Sequence, residues 1–77
     1  MLVYIYDIKS SVKDYNRIKR NFYYHLNKNG YNKYFWKTKS VLVVPEEMGQ
    51  VIDGFFHSFS GSIVVYKIIT DSIEELE

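Results

Sequence analysis

The sharpest constraint on this chain is the way its apolar periodicity switches between strand and helix within 77 residues. Leu2–Ile8 (LVYIYDI) is a short β-branched and aromatic run and reads as a strand. Tyr15, Ile18, Phe22 and Leu26 then recur at helical spacing and define one apolar helix face. Ser11, followed three residues later by Asp14, comes close to a capping box and marks the start of that helix. Asn29-Gly30 marks its end, because glycine accepts the left-handed conformation there. Residues 31–36 read as a second strand, Lys37-Thr38-Lys39 as a tight turn or a bend, and residues 40–44 (SVLVV) as a third strand. Pro45-Glu46-Glu47 suits a first helical turn, with acids at the positive end of the dipole. Met48, Val51, Ile52, Phe55 and Phe59 continue that helix, which Gly49 and Gly54 weaken by about 1 kcal/mol each relative to alanine. Ser60-Gly61-Ser62 reads as a turn, and residues 62–69 (SIVVYKII) as the last strand. Residues 70–77 read as a helical turn or a frayed end.

The order β-α-β-β-α-β is the ferredoxin-like, α+β arrangement: a four-stranded antiparallel sheet with two helices on one face. The length suits a single domain over residues 1–77. Both parities of the outer runs are apolar or aromatic. Leu2, Tyr4 and Tyr6 alternate with Val3 and Ile5, and Ile63 and Val65 alternate with Val64, Tyr66 and Ile68. A half-exposed antiparallel sheet shows polar residues on its wet side. Two helices cover one face, so the other needs a cover of its own. A second copy of the sheet is the simplest, which makes a homodimer through the sheet face the expected assembly.

A domain this short leaves much of its surface wet. Eight tyrosines, five phenylalanines and a tryptophan offset that and exclude a disordered chain. The absence of cysteine excludes a disulfide scaffold, a thiolate zinc site and a cysteine nucleophile, and favours the cytoplasm. No basic n-region with an apolar core follows Met1, and no apolar run could span a bilayer, so neither a secretory leader nor a membrane partner is expected. A net charge of +1 argues against nucleic-acid binding driven by overall charge. The charges are unevenly spread, however: basic residues dominate from Lys9 to Lys39 and residues 71–77 are acidic. A local basic surface therefore stays open.

The opening LVYIYDIKS, with Tyr6-Asp7-Ile8 inside it, resembles the first strand of the small CRISPR-associated adaptation protein (Cas-two) family. The likeness continues through a Lys/Arg-rich helix ending at Gly30, through Trp36-Lys37-Thr38-Lys39-Ser40-Val41-Leu42, through Pro45-Glu46-Glu47, and into the closing strand from Ile63 to Tyr66. It covers most of residues 2–68. What it implies is a ferredoxin-like homodimer paired through the sheet. It also implies that Asp7 lies near the dimer axis, where it can hold a divalent metal such as magnesium, and that the protein is a non-catalytic adaptor supporting nucleic acid. Nuclease activity is attributed to some members, and toxins of the virulence-associated D type share the fold, so a magnesium-dependent nuclease or toxin is the related alternative. Three features depart from the family pattern: Leu42 replaces a common phenylalanine, two glycines interrupt the second helix, and a short acidic segment stands where an additional C-terminal strand is usual.

Each candidate residue has a functional and a plain structural reading. Asp7 either shares a magnesium ion through oxygen ligands across a dimer, or caps the turn through Ser10 or Ser11. Lys13, Arg17, Arg20, Tyr24 and Lys28 share one side of the first helix and form either a phosphate-contacting ridge for DNA or RNA, or a solvated face. Lys33, Lys37 and Lys39 interleave with Tyr31, Tyr34, Phe35 and Trp36. They form either a base-stacking surface, or a hairpin whose aromatics pack inward while the lysines snorkel. His25 and His57 have no ligand partner close in sequence, and the serines around Gly61 form no nucleophile elbow. The adaptor is the leading expectation. A protein-interaction module without a nucleic-acid role is the other class.

Overall fold

The chain runs β1 (Leu2–Ile8), α1 (Tyr15–Lys28), β2 (Phe35–Trp36), β3 (Thr38–Val44), α2 (Gly49–His57), β4 (Ile63–Ile69), in a computed structural model that describes all of Met1–Glu77. β1 is central because every one of its positions finds an apolar neighbour or a backbone partner. It pairs antiparallel with β3 (Leu2 with Val44, Ile5 with Val41) and with β4 (Leu2 with Ile69, Ile8 with Ile63). The strand order is β2-β3-β1-β4. Three strands have seven residues each, whereas β2 has two and meets β3 through an irregular register. The result is a mixed α+β fold, compatible with a ferredoxin-like arrangement but without a full fourth strand. No helix is long and apolar enough to cross a membrane.

The second strand expected over residues 31–36 is therefore corrected. Gly30 turns the chain at φ 78°, and Tyr31–Tyr34 forms a single 3-10 turn. Side chains three apart eclipse in such a turn. Tyr31 and Tyr34 both pack on the core, Tyr31 edge-on to Phe55 with ring centres 5.4 Å apart. Lys37, at φ 66°, makes the tight turn into β3. The Ser11 cap is corrected too. α1 starts at Tyr15 after Asp14 in the left-handed region, with no side-chain cap, and Asp14 pairs with Arg17 at 3.2 Å instead.

Alternation along β1 sends Leu2, Tyr4, Tyr6 and Ile8 toward the helices, where all four are buried. Phe22 and Leu26 of α1 and Ile52 and Phe56 of α2 close over them. Phe22 is the hub, with ring centres 5.3 Å from Tyr6, 5.3 Å from Phe55 and 5.1 Å from Phe59. In α2 the expected Val51 is 48% exposed and Phe56 takes the core position, because the buried stripe runs Gly49, Ile52, Phe56. Gly49 lets α2 approach β1: a Cβ there would stand 2.9 Å from Leu2 Cδ1.

Residues 71–77 form neither helix nor strand and are exposed. Thr70 pairs with Met1 at one end of the sheet, while Glu75 reaches Lys37 at 2.6 Å in the β2–β3 turn at the other end. The intervening residues must cross the sheet, and with the helices on one face they do so over the open one.

Candidate functional site

α1 contains no acidic residue, and Arg17, Lys19, Arg20 and Lys28 are all exposed on it. Because Phe22 and Leu26 fix the inward side, Arg17, Arg20 and Tyr24 are turned to solvent. With Ile18 and Asn21 they line a groove of about 560 Å³. The Arg17–Asp14 pair is exposed at both ends and leaves the guanidinium accessible. Lys13 lies in the turn before α1 rather than on it, and Lys28 sits 5.7 Å from the Tyr24 ring.

Lys39 joins a second groove, of about 810 Å³, with Lys19, Tyr23, Asn27, Asn32 and Phe35. Its floor is fixed by the Lys39 carbonyl, which accepts hydrogen bonds from Tyr6 and, at 3.3 Å, from Tyr23. Of the six expected basic residues, Arg17 and Arg20 line the first groove and Lys39, in β3, lines the second, whereas Lys13 before α1, Lys28 on α1 and Lys37 in the β2–β3 turn line neither. Lys37 is engaged by Glu75. Of the two readings of the basic-aromatic segment, the packed one holds: Tyr31, Tyr34 and Phe35 lie against the core, and of the four interleaved aromatics Trp36 alone is exposed. Lys33 and Lys37 lie over Tyr34 and Trp36, as cations do over ring faces.

Asp7 is exposed on β1, on the face away from the helices, opposite Val64 in register. Its carboxylate accepts no hydrogen bond from Ser10 or Ser11, so the capping reading does not hold. No three His, Asp or Glu side chains converge. The same face carries cross-strand rows Val43–Val3–Ile68 and Val41–Ile5–Tyr66, with Tyr66 66% and Ile68 45% exposed.

No family model matches this chain, and no curated protein or solved structure does.

One constellation escapes the sequence. The Tyr4 hydroxyl donates to Asp53 Oδ1 at 2.6 Å, and Lys67 Nζ donates to Asp53 Oδ2 at 2.9 Å. These three, with Phe56, His57, Ser60, Ile63 and Val65, line a cleft of about 280 Å³ between α2 and β4. Asp53 is held below the usual carboxylate range, first by the Tyr4 hydroxyl and then by Lys67. Burial, then the bond to Asp53, pushes the Tyr4 phenol well above its ordinary value. Burial, then the neighbouring Tyr23 hydroxyl, does the same to Tyr6. The partners are 14 to 49 positions apart, and no local spacing announces them.

Proposed function

We propose that this chain is a Cas-two-like, ferredoxin-like homodimeric protein that acts as a non-catalytic nucleic-acid adaptor. The observation that carries the reading is the charge segregation: α1 presents Arg17, Lys19, Arg20 and Lys28 with no acid among them. Phosphate contacts of this kind position a protein on nucleic acid without reading sequence. The dimer forms through the sheet face away from the helices, where Ile5, Tyr66 and Ile68 are exposed, Val41 and Val43 are half-buried, and Val3 is already buried in the single chain. That pairing requires the tail to lift. The exposed Lys37–Glu75 bridge holding it is worth about 0–1 kcal/mol, so it yields readily to an interface of about 1,000 Å² or more. Asp7 lies on the same face, where two copies could present two carboxylates to one magnesium ion.

Fluorescence anisotropy with a labelled DNA duplex and an RNA strand tests the nucleic-acid contact. Three neutralised phosphates give duplex DNA a log–log salt slope of about −2.7, or about 40-fold weaker binding between 50 and 200 mM salt. Arg17→Glu combined with Arg20→Glu abolishes binding while the circular dichroism spectrum stays unchanged, since both side chains are exposed. Undiminished binding by the double variant refutes the α1 surface. A wild-type protein that binds neither probe at 50 mM salt leaves the protein-interaction module, which the open apolar face favours, as the better reading.

A further inference from the structure

The outer edge of β4 is a second unpaired surface, separate from α1 and from the sheet face. Its hydrogen-bonding pattern follows from the two ends. Thr70 and Met1 exchange backbone hydrogen bonds, and Lys9 N–H donates to the Ser62 carbonyl at 2.9 Å. Hydrogen-bonded pairs alternate along an antiparallel ladder, so Val64, Tyr66 and Ile68 turn their backbone groups toward β1. Ile63, Val65, Lys67 and Ile69 turn theirs outward. Long apolar edges of this kind recruit another strand unless a charge or a proline blocks them. Lys67 is the one charged residue in β4, and Asp53 holds it inward at 2.9 Å, with its Nζ 5.9 Å from the Tyr4 ring centre. The tail leaves the edge free, because Glu75 is bound on the opposite side of the sheet at Lys37.

The geometry points to a second copy of this chain as the occupant, its β4 laid antiparallel along this one about a two-fold axis at Tyr66. In that register Ile63 faces Ile69 of the second copy, Val65 faces Lys67, and Val64 faces Ile68. All four outward residues of each strand find partners, and no lysine faces a lysine. The match is better than for a strand centred on Lys67, which would oppose like charges. It also explains Ile69, which points to the helix side yet is 73% exposed in the single chain. Ile69 of the second copy would close the open side of the Asp53–Lys67 cleft beside Ile63. α2 stands over both β1 and β4 through Asp53, so the two α2 helices would lie about 10 Å apart, within packing distance.

Edge pairing leaves the sheet face free. Together with the face-to-face contact of the proposed function it builds a tetramer, and either contact alone builds a dimer. Sedimentation at high micromolar concentration separates them. Val65→Pro removes an outward N–H without touching the β1 ladder, and Ile69→Lys puts a charge at an exposed position that leaves folding intact. Each variant, its fold checked by circular dichroism, is expected to halve the wild-type mass. Ile5→Glu, on the face, is expected to leave the edge dimer. A wild-type mass kept by both edge variants overturns the edge pairing. One kept by Ile5→Glu overturns only the face contact, and a wild-type monomer overturns both.

Discussion

Tyr4 links the core to the surface at a single atom. Its ring stacks on Phe56, with centres 5.3 Å apart, and its hydroxyl reaches a carboxylate that also holds Lys67. Tyr4→Phe keeps the ring and removes the donor, so it is expected to cost about 1.5–3 kcal/mol, the range for a hydrogen bond to a charged group. The pH dependence has two limbs. Asp53 is more acidic in the folded chain, so its contribution is present above the ordinary aspartate value of about 4 and is lost as pH falls through the lowered folded value. Tyr4 and Tyr6 keep their protons more tightly when folded, so their contribution is present below about pH 10 and is lost as pH rises beyond it. Urea midpoints from pH 3 to 11 should form a plateau with both shoulders, and Tyr4→Phe should soften each of them. An acid shoulder unchanged in that variant would show that Tyr4 does not set the acidity of Asp53.

The elements were legible where periodicity and chain stops agreed, and illegible where tertiary packing chose between close alternatives. The stripe Tyr15, Ile18, Phe22, Leu26 and the stop at Asn29-Gly30 located α1 because core and cap demand the same residues. Residues 31–36 misled because aromatics at spacing three satisfy a 3-10 turn as well as a strand, and Phe55 decided the matter. In the candidate site the basic character of α1 was legible. The engagement of Lys37 by Glu75 and the Tyr4–Asp53–Lys67 cluster were not, because both join distant segments. The glycines of α2 looked alike in sequence and differ in structure. Gly54 has open space where a Cβ would stand, so Gly54→Ala is expected to stabilise by up to about 1 kcal/mol through helix propensity alone. That corresponds to about 4–8 °C in a domain of this size. Gly49→Ala gains the same propensity but drives a methyl against buried Leu2, so it is expected to show no such rise. Equal melting temperatures for the two variants would mean that α2 does not sit as close to β1 as Gly49 allows.

Over the whole molecule the near-neutral charge conceals two opposed halves. Residues 9–39 hold nine of the ten basic side chains and one acid, Asp14, for a local +8, while the remaining residues sum to −7, which together give the net +1. Four of the outlying acids, Asp71, Glu74, Glu75 and Glu77, belong to the tail, and Glu75 already binds Lys37. Glu75 thus occupies one cation of the basic side, and the other tail acids act on that side only at longer range. The effect is electrostatic and exposed, so it acts within a Debye length of about 10 Å at 0.1 M salt and fades as salt rises. Replacing the four acids by asparagine or glutamine keeps chain length and shape while taking the formal charge from +1 to +5, one unit for each acid removed. The variant is expected to bind a DNA duplex more tightly than the wild type at 50 mM salt, with the two converging near 0.5 M. Glu75→Gln alone should recover part of the gain by freeing Lys37. Because the basic surface lies on α1 and the β2–β3 turn, adding Arg17→Glu and Arg20→Glu to the four-fold variant should erase the gain. A four-fold variant whose affinity matches the wild type at low salt would show that the tail does not guard this surface.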